Sequence, residues 1–313
     1  MTESETAKIM VFPEFDDIKV STKTFIVMTN INVDLTKLFV LLPITDYTLI
    51  PKKKGRKKKS ELVDFNAIIK DGSIISMKFE NQIKGVDMKK KKSLSSNKKK
   101  SKWFRNSFTI VIMLDNKPVN FKVCMNGVLQ ITGCKFNSHA ELCIKYLWDY
   151  IKNEHQIYSF KKSEDTLLES IIVPVMRNID FSVNFNIDRE KFSRYISKNT
   201  QFHSLLETSF GYTGCNIKLP LDKDIKTMKL KKLIFYDKSI TEKTITYADY
   251  LDLLPEKDRQ KKLNKDRYNS FLCFHSGRII ESGIISEYMS SAYYKFIEII
   301  KNGRHEFEEK LDL

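Results

Sequence analysis

The sequence predicts an α+β protein made of two diverged copies of one unit, each an antiparallel β-sheet covered on one face by helices. Three observations lead there. Asn32-Val-Asp-Leu-Thr-Lys-Leu38 matches Asn186-Ile-Asp-Arg-Glu-Lys-Phe192 at a spacing of 154 residues, and Asn126-Gly-Val-Leu-Gln-Ile-Thr-Gly133 matches Ser276-Gly-Arg-Ile-Ile-Glu-Ser-Gly283 at 150. Both segments of the second pair follow a run rich in β-formers and open on Asn-Gly or Ser-Gly, a hairpin signal. Each copy then closes with a long amphipathic helical pattern, 138–152 and 287–302, with Leu142, Tyr146 and Ile151 among the apolar residues of the first.

The elements follow the same order in each copy. A strand (23–31; 178–186) leads into a short helix whose N-caps are Asp34 and Asp188, because an aspartate just before a helix accepts hydrogen bonds from its first free N–H groups. A second strand follows (73–79; 215–219), then the hairpin, opening with 119–125 and 270–275. Glycines 127 and 277 suit turns that need a positive φ. The copies correspond to domains 1–160 and 161–313, with insertions near 51–60, 81–106 and 220–268. The third insertion carries its own strand pattern at 230–236 and a helical one at 247–254. A helix buries one sheet face of each copy, which leaves the other face needing a partner.

The formal charge of +15 is concentrated in two places. Residues 52–59 hold seven basic side chains and no acid, and residues 89–102 hold eight and no acid, so the two tracts carry the whole excess. Such tracts cannot bury enough apolar area to offset chain entropy and are expected to be disordered. They suit flexible, salt-sensitive tethers for DNA. Nuclear import signals and solvated loops have the same composition.

Several function classes are excluded on motif grounds. The chain has no P-loop, no glycine-rich dinucleotide fingerprint, no G-x-S-x-G elbow and no H-E-x-x-H, and its five histidines lack carboxylates at a spacing that suggests acid–base work. A non-enzyme with no cofactor is expected. Of the five cysteines, Cys134 and Cys143 with His139 supply at most three zinc ligands, so no metal site is expected and the thiols fit a reduced compartment. No apolar run approaches the roughly 20 residues that span a bilayer. The polar, acidic segment 1–9 is unlike a signal sequence, and a soluble intracellular protein is expected.

Short motifs in and around the hairpins carry a resemblance. Leu272-Cys-Phe-His-Ser-Gly-Arg-Ile279 resembles the Leu-Ile-Phe-x-Ser-Gly-Lys-Val signature of the TATA-box-binding protein family, and Thr132-Gly-Cys-Lys135 resembles its Thr-Gly-Ala-Lys. Arg177-Asn178-Ile179 is similar to its Gln-Asn-Ile, and residues 214–219 to its Pro-Gly-Leu-Ile-Tyr-Arg-Met strand. With its lysine-rich insertions the chain resembles the TATA-box-binding-like proteins of large cytoplasmic DNA viruses. The resemblance implies a curved sheet saddle whose concave face enters a widened minor groove, with helices on the convex face. It also implies double-stranded DNA, a transcription factor IIB-like factor and RNA polymerase machinery as partners. The nucleus or a cytoplasmic viral replication site is the location it implies. An apolar sheet face suits a groove opened by kinking, where inserted aromatic side chains offset the cost of unstacking.

The resemblance also assigns residues. Phe274 matches a wedge phenylalanine and Leu272 lies on the same strand face. The partner wedge is Tyr212, or alternatively Phe210. In the first copy Cys124 and Gly72 stand at the wedge positions, and neither can prise bases apart. Asn178 matches an asparagine that bonds minor-groove acceptors, with Thr24 in its place in the first copy. Gln130, Thr132, Ile280 and Ser282 match groove-facing positions, Gln130 replacing an apolar residue. Lys78, Lys135, Lys218 and Arg278 match basic positions suited to phosphates. Two readings of function remain: a transcription initiation factor that binds and bends promoter DNA, or a protein-interaction scaffold that touches DNA only through its lysine tracts. Exposed apolar residues on the open faces of both copies favour the first, and charged or covered faces the second.

Overall fold

The computed structural model describes residues 12–47, 69–87, 106–206 and 214–309. Both lysine tracts, Phe210 and Tyr212 lie outside the described residues. The amino-terminal half runs β1 (Val20–Thr29), β2 (Ile31–Val33), α1 (Leu35–Leu41), β3 (Ile74–Phe79), β4 (Gln82–Gly85), β5 (Ser107–Leu114), β6 (Lys117–Cys124), β7 (Leu129–Cys134) and α2 (Ser138–Ile151). The short β8 (Tyr158–Phe160) and the long β9 (Leu168–Ser182) follow, then α3 (Arg189–Asn199), β10 (His203–Leu206) and β11 (Gly214–Pro220). The third insertion contributes β12 (Lys229–Phe235), β13 (Ile240–Thr246), α4 (Tyr247–Asp252) and α5 (Glu256–Leu263). The chain closes with β14 (Tyr268–Phe274), β15 (Arg278–Gly283) and α6 (Ser286–Phe307). The architecture is α+β with antiparallel strand pairing.

The chain divides into two compact units. One comprises residues 24–173 and 229–245, the other residues 174–228 and 246 onward together with the segment before residue 24. These are the first and second unit respectively.

In the first unit the strand order is β1-β7-β6-β5-β3-β4. Alternate residues of these strands (Phe25, Val27, Phe108, Ile110, Phe121, Val123, Leu129, Ile131) face a core closed by Leu35, Leu38 and Phe39 of α1 and by Ala140, Cys143, Ile144 and Leu147 of α2. Helix α1 starts where the sequence places it: the Asp34 carboxylate accepts from the N–H groups of Thr36 (3.1 Å) and Lys37 (3.0 Å). Strand β12 pairs with the first part of β9, Leu233 opposite Ser170, and adds Leu233 and Phe235 to this core.

In the second unit the order is β10-β11-β14-β15-β9. Its core joins Ile179, Phe181, Cys215, Ile217, Phe271, Cys273 and Ile279 to α3 through Phe192 and Ile196, and to α6 through Met289, Ala292, Tyr293, Phe296 and Ile300. The Phe271 and Phe296 rings stack with centroids 4.1 Å apart, a contact worth roughly 1 kcal/mol beyond the area it buries. Asp188 caps α3 as Asp34 caps α1, accepting from Glu190 and Lys191 N–H at 3.1 Å each.

The two hairpins share one register. Asn120 faces Thr132 in the first, and Ser270 faces Ser282 in the second. Gly127 and Gly277 turn them at φ +71° and +75°. A Cβ on Gly127 would run into the carbonyl oxygen of Ile31, and one on Gly277 into that of Phe185, so both turns demand glycine for space as well as for φ.

The neighbour of the first hairpin differs from the expectation. β5, not the strand at 73–79, pairs with β6, Thr109 opposite Lys122, while β3 lies one strand further out with Lys78 opposite Thr109. In the second unit Lys218 lies opposite Ser270 on β14 itself. Lys78 therefore does not occupy the place of Lys218; its counterpart by strand order and register is Leu205, opposite Asn216. Gly72 is likewise no wedge position. It sits in a turn at φ +90°, donates its N–H to the Met113 carbonyl (2.9 Å), and has the Tyr146 ring where a Cβ would go.

Candidate nucleic-acid interface

Side chains directly opposite one another in an antiparallel sheet share a face, so the register lists what each unit presents away from its helices. In the second unit one row crosses all five strands: Leu205, Asn216, Leu272, Ile280 and Asp180. A parallel row holds His203, Lys218, Ser270, Ser282 and Asn178. Phe274, opposite Gly214, lies on this face beyond the first row, as does Arg278, opposite Ser182. Leu272, Phe274 and Ile280 are half-buried and make a partly open apolar patch, and Leu205, 51% exposed, lies beyond Asn216 in the same row. The structure brings Asn178, Lys218, Leu272, Phe274, Arg278, Ile280 and Ser282 onto one face.

The borders of this face are fixed by specific contacts. Arg278 Nη2 donates to Asp180 Oδ2 at 2.8 Å. The Lys218 ammonium stands 5.6 Å from the centre of the Tyr268 ring. Asn178 is anchored through its backbone, its carbonyl accepting from Ser21 Oγ at 3.2 Å. Asp180 is a face residue that the sequence analysis missed. Its signal was there: Asn178, Asp180 and Ser182 alternate with Ile179 and Phe181 along one strand.

Beneath the patch, on the helix side of β15, Glu281 is 0% exposed and neither carboxylate oxygen has a hydrogen-bond partner. Burial pushes its pKa up to about 8, against the opposing pull of Arg177. The same burial lowers the Arg177 pKa, and its guanidinium lies over the Phe15 ring.

The corresponding face of the first unit is different in kind. The row equivalent to Leu205-Asn216-Leu272-Ile280 reads Lys78, Thr109, Lys122 and Gln130. The next row reads Ser76, Val111, Asn120 and Thr132, with the Thr132 hydroxyl donating to the Asn120 carbonyl at 3.3 Å. Val111 and Met113 form a small cluster with Ile75, and Tyr47 and Ile69 pack against it, so the outer part of this face is covered. Thr24 is only 8% exposed, Cys124 is half-buried, and Lys135 lies beyond β7 with its N–H donating to His139 Nδ1 at 3.4 Å. His139 Nε2 lies 2.8 Å from Asp115 Oδ2, so both ring nitrogens have partners, Nε2 donating and Nδ1 accepting. Among the described residues no three His, Cys, Asp or Glu side chains are grouped to hold a metal ion, and no helix is long and apolar enough to cross a membrane.

No protein-family model matches the chain. In sequence it is 26% identical over 217 residues to Uncharacterized protein 335L of Invertebrate iridescent virus 6, covering 67% of this chain and 64% of that protein. It is 28% identical over 176 residues to the TATA-box-binding protein-like protein of Acanthamoeba polyphaga mimivirus, covering 52% of this chain and 47% of that one. The chain thus matches less than two thirds of the length of each of these relatives. Among solved structures, Methanococcus jannaschii TBP aligns over 93% of this chain and 99% of its own, at a TM-score of 0.43 and 13% identity. In its hairpin motifs and over about half of its length, the chain is similar to a TATA-box-binding protein-like protein.

Proposed function

We propose that the protein is a DNA-binding transcription initiation factor whose second-unit sheet face enters the minor groove and bends promoter DNA. The observation that carries this reading is the open row Leu205-Asn216-Leu272-Ile280 with Phe274 beside it. Open apolar patches of this kind on a soluble protein mark a binding surface, and a groove widened by partial unstacking offers the matching apolar floor. Asn178, Ser270 and Ser282 supply short hydrogen-bonding side chains in the neighbouring row, which also carries Lys218, and Arg278 stands on the other side of the apolar row; both cations suit phosphates. The two units act as copies of one saddle half in this reading. The first would hold DNA through Lys78, Lys122 and the two lysine tracts, without a wedge. Helical faces and insertions recruit a transcription factor IIB-like factor and polymerase.

The second reading, a protein-interaction scaffold, is favoured by one observation: the first unit's face carries lysines and a glutamine where the second carries leucine and isoleucine, and Tyr47 and Ile69 cover its edge. Methylation interference separates the two. Groove binding predicts that methylation at adenine N3, in the minor groove, blocks the complex while methylation at guanine N7, in the major groove, does not. Indifference to both modifications would favour the scaffold.

A further inference from the structure

We propose that Asp180 makes the second unit's face select a G·C base pair at the step it covers, by accepting a hydrogen bond from the guanine N2 amino group. This rests on the minor-groove reading above. Asp180 lies in register with Ile280, at the end of the row that runs through Leu272, and so faces whatever the patch faces. An ionised carboxylate only accepts hydrogen bonds. The minor-groove floor of an A·T pair shows only acceptors, adenine N3 and thymine O2, whereas a G·C pair adds one donor, the guanine amino group. Against A·T the carboxylate would be desolvated facing lone pairs, which is costly; against G·C it gains a charge-assisted hydrogen bond.

Arg278 makes a carboxylate tolerable beside DNA. Its Nη2 holds Asp180 Oδ2 at 2.8 Å, which offsets repulsion from the phosphates and uses one oxygen of the pair. Guanidinium carries five N–H donors, so Arg278 can keep this contact and still reach a phosphate. Leu272, Phe274 and Ile280 offer the guanine amino group no acceptor side chain; Asn216 and Asp180 are the row's two acceptors, and Asp180 is the one that offers a charge-assisted bond.

The test is selection of duplexes from a pool with a randomised centre, using the wild-type chain, Asp180→Val and Asp180→Asn. Wild type is expected to enrich one fixed G·C pair. Asp180→Asn should keep it, since the amide oxygen still accepts, and Asp180→Val should lose it. Replacing that guanine by inosine, which lacks the amino group, should weaken wild type about fivefold to tenfold and leave Asp180→Val unchanged. If wild type enriches and bends a duplex but Asp180→Val enriches the same base pairs, or if inosine is tolerated, this inference alone is overturned. If wild type enriches no duplex, the groove reading fails with it.

Discussion

Two carboxylates on neighbouring strands of the second unit show how much environment decides a side chain's role. Asp180 is on the open face and ion-paired; Glu281, one strand away, is sealed under α6 with both oxygens unpartnered. The Glu281 pKa of about 8 lies above its ordinary value of 4.5, so the native state holds the proton more tightly than the unfolded chain does. Its contribution is therefore full below pH 4.5 and is lost as pH rises toward 8. Glu281→Gln keeps the shape and removes the titration. Chemical denaturation at pH 5 and pH 8.5 should show the variant gaining on wild type at the higher pH, by up to roughly 4 kcal/mol. An equal difference at both pH values would mean that Glu281 does not titrate across this range. At this scale the shared sheet face of Leu272, Phe274, Ile280 and Ser282 was legible, because a strand alternates its faces strictly. Asp180 followed the same alternation, but no motif drew attention to it.

Among the elements, the hairpins and caps were the most legible, since turns and helix starts are set by neighbours in sequence. The cost of changing them can be ranked. Gly133 has φ +79° and open space around it, so Gly133→Ala meets backbone strain only and should cost about 1 kcal/mol. Gly277→Ala meets the same strain plus the Phe185 and Val183 carbonyls, and should cost roughly 3 kcal/mol. Comparable unfolding midpoints for the two variants would contradict this packing of the turn. Strand β5 escaped the sequence analysis for a physical reason. Residues 110–114 are buried on both faces, the core on one and Ile75, Tyr47 and Ile69 on the other, so the period-two signal is lost. Without β5, the strand at 73–79 was set against β11, and Lys78 was matched to Lys218. The first part of β9 was hidden differently, because its partner β12 comes from an insertion about 60 residues further on.

At the scale of the whole molecule, two units with one hairpin register carry unlike open faces. Leu272 and Ile280 in the second correspond to Lys122 and Gln130 in the first, so the apolar residues of this row are concentrated in one unit and the basic and amide ones in the other. The net charge follows the same division of labour, residing in two tracts of the amino-terminal half rather than across the fold. Salt should therefore weaken binding steeply through tract–phosphate contacts while leaving the shape of the bound DNA to the second unit. The most direct test of the central claim is the bend angle of an end-labelled duplex, measured by energy transfer with wild type and Phe274→Ala at two salt concentrations. The account predicts a bend that wild type keeps at both salts and Phe274→Ala loses, the variant retaining salt-dependent binding. A straight duplex with wild type, or an equal bend with both proteins, would contradict it.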